Sequence, residues 1–95
     1  MKFKKRYGVI KEDRQKQNGD WIYDAPTDKC FFEITAKNEK EFDIFSEEMK
    51  TQGFEPSLCP TVEDDEYSDS FYMNKEDKKD FLESYEIVIN SLKKQ

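Results

Sequence analysis

Ninety-five residues make a single domain on length. Charged residues (40%) outnumber apolar ones (35%), but eight Phe, five Tyr and one Trp supply enough bulky surface for a folded core, so the chain is not a disordered acidic tail. Histidine is absent, which removes the commonest general base, the Ser–His and Cys–His nucleophile pairs and most catalytic zinc sites, and no apolar run approaches the ~20 residues that span a bilayer.

Charge is divided along the chain. Residues 1–17 hold seven basic and two acidic side chains, net +5; residues 18–95 hold nine basic and twenty acidic ones, net −11, giving −6 in all. The basic arm and the acidic body suit different partners, and a body of −11 repels phosphate backbones, so nucleic acid across its main face is not expected. The basic start is followed by no apolar stretch of the kind a secretory signal needs. Cys30 and Cys59 therefore read as reduced core thiols of a cytoplasmic protein.

In chain order, residues 2–11 alternate as a strand whose lysine-rich face suits a sheet edge. Residues 12–17 carry no apolar period. Asn18-Gly19 is the strongest hairpin signal, since it accommodates positive φ at both turn centres. Trp21-Ile22-Tyr23 starts a returning strand that residues 24–28 break, because Pro26 cannot donate to a ladder. Residues 29–36 resume as a third strand, with Cys30, Phe32, Ile34 and Ala36 on one face.

Asn38 and Glu41 have capping-box spacing and open a helix over residues 39–52, with Phe42, Phe45 and Met49 as its buried stripe and Gly53 as a left-handed terminator. Residues 54–62, interrupted by Pro56 and Pro60, form at best an edge strand. Residues 63–66 make an acidic loop, and 70–73 a short strand. Asn74 and Asp77 repeat the cap spacing before a helix over residues 75–93, whose stripe is Phe81, Leu82, Tyr85, Val88, Ile89 and Leu92. Acids in its first turns and Lys93 and Lys94 at its end suit the helix dipole. The expected fold is α+β, residues 1–95 forming one small acidic domain. An antiparallel sheet of four or five strands carries two helices on one face, in the order β-β-β-α-β-β-α.

Chemistry-bearing constellations are few. A calcium loop read from Asp64 puts Asp69 where Gly is wanted and Lys75 where the final Glu belongs, so no metal site is expected. Two thiols without histidine cannot complete a zinc site, and the three glycines are isolated, so no phosphate-cradling loop exists. No enzyme activity and no cofactor are expected. Residues 63–66 with Asp69 read instead as a patch for a basic partner. Two isoleucines lie off their helix stripes: Ile44 by about 130° and Ile87 nearly opposite. Exposed apolar residues ringed by acids suit a partner groove.

In size, acidity and lack of catalytic groups the chain resembles the small inhibitors carried by phages (anti-CRISPR-like proteins) and bacterial toxin-immunity proteins. That resemblance implies a non-enzymatic inhibitor whose acidic surface docks on a basic nuclease or effector complex in imitation of nucleic acid. The contact residues expected are Glu63, Asp64, Asp65, Glu66, Asp69, Glu83 and Glu86, with Ile87 as the anchor. Two other readings fit the residues: an accessory module that grips single-stranded nucleic acid through the basic N-terminal strand, and a module that self-associates through that strand.

Overall fold

The computed structural model describes residues 1–93; Lys94, expected at the end of the last helix, lies outside them. Four strands and two helices follow in the order ββαββα: β1 (Phe3–Gln15), β2 (Trp21–Ala36), α1 (Glu39–Thr51), β3 (Thr61–Glu63), β4 (Glu66–Asn74) and α2 (Lys78–Lys93). All pairings are antiparallel and the sheet order is β1-β2-β4-β3. The α+β class stands; the strand order is corrected, because two of the expected segments are one strand.

That strand is β2. In its second half Cys30, Phe32, Ile34 and Ala36 are buried as the alternation requires, the last three against Phe71 of β4 and both helices. Its first half continues through Pro26. The imino residue is tolerated there because β4 pairs only with residues 29–36, so β2 has a neighbour on one side alone at Pro26. The register also slips between Val9 and Lys11, and Asp24 turns left-handed (φ 53°) while donating its N–H to Asp13 Oδ1 at 3.0 Å. Residues 12–17, which show no apolar period, are therefore ladder and turn. β1 and β2 run on together as a ribbon beyond the helices, and the molecule measures 58 × 29 × 17 Å. At the ribbon tip Gly19 is left-handed and its N–H closes a turn on Lys16 O, so the turn centres are Gln17 and Asn18 rather than Asn18 and Gly19.

The helix signals divide. Asn38 Oδ1 accepts the Glu41 N–H at 2.9 Å, so the first cap forms. At the other end of α1, Gly53 is left-handed, its N–H donates to Lys50 O, and the Phe54 N–H reaches back to Met49 O. Phe54 then packs edge-on against Phe81, 5.1 Å between centroids. Asn74 makes no cap bond; a 3-10 turn, Lys75–Asp77, intervenes, and α2 begins at Lys78. The segment before β3 is irregular, and only Thr61–Glu63 is strand.

Both helices cover the same sheet face. Phe42, Phe45 and Met49 of α1 and Phe81, Tyr85, Val88 and Leu92 of α2 close over Phe32, Ile34, Ala36 and Phe71. Phe32 and Phe81 stack at 4.7 Å, 10° from parallel, and Phe45 meets Phe71 edge-on at 6.0 Å. With so few aliphatic residues, this ring cluster is the main apolar surface removed from water. The other sheet face carries no helix.

Candidate functional site

The residues expected to meet a partner fall in three places. Glu63, Asp64, Asp65 and Glu66 form the hairpin joining β3 to β4. Asp64 (φ 49°) and Asp65 (φ 65°) are both left-handed, a two-residue primed turn in which Asp serves because its short polar side chain tolerates that region. The acidic stretch is thus a tight turn rather than a loop. Register puts Glu63 and Glu66 on the sheet face that carries no helix, where Lys4 reaches Glu66 at 3.2 Å. Lys2, Lys4 and Lys37 line one shallow cleft with Asp64, Asp65 and Glu66. The basic arm therefore offsets the acidic turn, and charge of both signs meets there.

Asp69 corrects the expectation, since it is not at the surface. It is buried, accepts the Ser57 hydroxyl and the N–H groups of Leu58 (3.0 Å) and Ser70 (2.7 Å), and so holds the irregular segment before β3 against β4. Leu58, left-handed at φ 65°, is fixed by one of those bonds. A buried carboxylate with three donors organises a loop.

Glu83, Glu86 and Ile87 lie together on the outward face of α2. The 3.6-residue period requires it: Phe81, Tyr85 and Val88 face the sheet, so positions 83, 86 and 87 face away. Ile87 is 55% exposed, with Glu83 one turn before it and Glu86 beside it. Among the described residues three ion pairs form, Lys4–Glu66, Arg6–Glu33 and Lys50–Glu47, and none engages Glu83 or Glu86.

No family model, no curated protein and no solved structure matches this chain.

Ile44 corrects a further expectation. It is only partly exposed and packs against the core, so it is no free anchor. Cys30 is buried as expected, but Cys59 is exposed and the two thiols are free. Three phenols are held above their ordinary range. Burial is the larger cause at Tyr85, with the Glu86 charge adding to it; burial also leads at Tyr67, followed by the charges of Glu39, Asp43 and Asp69. Tyr7 is raised by burial and by Cys30. No helix is long and apolar enough to cross a membrane, and no cluster of three or more metal-binding side chains occurs among the described residues.

Sequence reasoning placed the hairpin and the start of its returning strand but missed that the ladder runs on through residues 12–15 and 24–28 into a ribbon, on which Trp21 and Tyr23 are exposed. It also missed the aromatic pair on the helix-free face. There Phe31 and Tyr72 sit opposite each other in register, ring centroids 5.8 Å apart, with the Arg6 guanidinium 5.4 Å from Phe31. The alternation already placed Phe31 opposite the core, and that was the available signal.

Proposed function

We propose that this protein is a non-enzymatic inhibitor that binds a protein partner through the outward face of α2. The partner is a basic, nucleic-acid-handling protein. Supporting the reading is one juxtaposition: an exposed isoleucine bracketed by two carboxylates, with no ion pair to either among the described residues. Unpaired carboxylates steer a cationic surface into encounter, and a desolvated aliphatic side chain slows release. The net −6 of the chain adds long-range attraction to the same class of partner.

The two parts of the contact separate kinetically. Glu83→Gln with Glu86→Gln lowers the association rate and flattens its salt dependence, while Ile87→Ala acts on dissociation. The test is affinity capture from nuclease-treated native host extract with the wild-type protein and the Glu83→Lys/Glu86→Lys variant. The expected result is a small set of basic proteins held at moderate salt by the wild type and lost from the variant. Equal capture by both would remove α2 from the interface.

A further inference from the structure

The outer edge of β1 carries a second kind of information. β1 is the outermost strand and pairs with β2 alone. Over residues 3–9 its register against residues 30–36 is unbroken; the irregularities begin only after Val9. The stretch contains no proline, so every residue keeps its N–H. The backbone groups on its outer side have no backbone partner among the described residues. Natural edges of this length are usually shortened, bulged or covered; this one is protected by charge alone.

That charge has one sign. From Lys2 to Lys11 the sequence carries five cations (Lys2, Lys4, Lys5, Arg6 and Lys11) and no acid. The cations occupy both faces of the strand: Lys4 and Arg6 point to the helix-free side, and Lys5 lies over the Tyr85 ring at 4.6 Å on the helix side. The pattern rules on what can be added. A second copy paired through β1 would set like-charged strands side by side about 4.8 Å apart, which is repulsive. A phosphate backbone answers the charge but cannot continue a hydrogen-bonded ladder. An extended acidic peptide answers both.

We infer that residues 3–9 of β1 form a docking edge that takes an extended acidic segment of another protein by strand addition. Main-chain hydrogen bonds hold the segment, and its carboxylates, on alternate residues, meet Lys4 and Arg6. The existing contacts of those two, to Glu66 at 3.2 Å and Glu33 at 3.3 Å, are exposed surface pairs that exchange readily for new partners. The inference does not depend on the α2 surface.

The test uses the full chain with an acetylated, amidated peptide of four Glu-Val repeats, a matching Lys-Val peptide and a short oligothymidylate. Amide hydrogen exchange read by NMR reports the site. The Glu-Val peptide is expected to slow exchange at alternate amides of residues 3–9. Lys4→Glu/Arg6→Glu, checked for fold by circular dichroism, is expected to weaken binding by at least about tenfold; if that variant does not fold, Lys4→Gln/Arg6→Gln removes the charge without reversing it. Unchanged exchange in β1, equal binding of the Lys-Val peptide, undiminished binding by the folded variant, or occupation of the edge by the oligothymidylate in place of the peptide would each overturn the inference.

Discussion

Gly8 is a glycine because Phe31 lies across it. A β-carbon there would come within 2.3 Å of the Phe31 ring, closer than any side chain tolerates. Gly8→Ala should therefore displace the ring and cost about 1–3 kcal/mol, the range for overpacking. In a Phe31→Ala background the same change should be nearly neutral, and a denaturant double-mutant cycle reads the difference. At Asp69, alanine would strand the Ser57 hydroxyl and two N–H donors, for a loss of about 2–3 kcal/mol in urea unfolding. A loss under about 0.5 kcal/mol would show that the acid does not hold that segment. Tyr85 makes a statement about pH. Its phenol is raised by burial first and by Glu86 second, so the folded protein keeps that proton to higher pH than the unfolded chain does. The stabilisation is complete below the unfolded phenol's value of about 10 and is lost as pH rises through the folded value. Melts should therefore fall more steeply above that pH for the wild type than for Tyr85→Phe, and identical alkaline slopes would contradict the assignment.

At the scale of elements, periodicity carried the reading wherever a segment has one buried face. The stripes of α1 and α2 and the alternation of residues 29–36 are visible in sequence because the same residues must meet the same core. The Asn38 cap was legible for the same local reason, and Asn38→Ala should cost about 1 kcal/mol in a thermal melt. The signals failed where no core stands beneath. Residues 12–28 bury almost nothing, so no alternation distinguishes strand from loop, and Pro26 looked like a break because its position at a free edge depends on where β4 ends. Asp69 was misread for a related reason: a run of acids looks solvated, and only the arrival of Ser57 and Leu58 from another segment makes one member a buried acceptor. Of the site, the face holding Glu83, Glu86 and Ile87 followed from helical spacing. The offsetting of the 63–66 turn by Lys4 did not, since it depends on β1 lying two strands from β4.

Across the whole molecule the decisive quantity is the separation of charge, positive along β1 and negative over α1 and the 63–66 turn. The three exposed ion pairs among the described residues, each worth about 0–1 kcal/mol, do not cancel the acid–acid repulsion of a chain carrying −6. Screening should therefore stabilise the fold: the melting temperature rises as salt increases from about 0.01 M to 0.15 M, where the Debye length shortens from about 30 to 8 Å. A melting temperature that fell over this range would mean that attractive pairs dominate. Whether the outward face of α2 is the working surface can be read with a photoreactive amino acid placed at position 87 and, separately, at position 62 on the sheet edge. Irradiated in native host extract, the protein should crosslink from position 87 to a basic protein, with the crosslink suppressed by competing nucleic acid and absent from position 62. Crosslinks from position 62 alone, or from position 87 without sensitivity to that competitor, would contradict it.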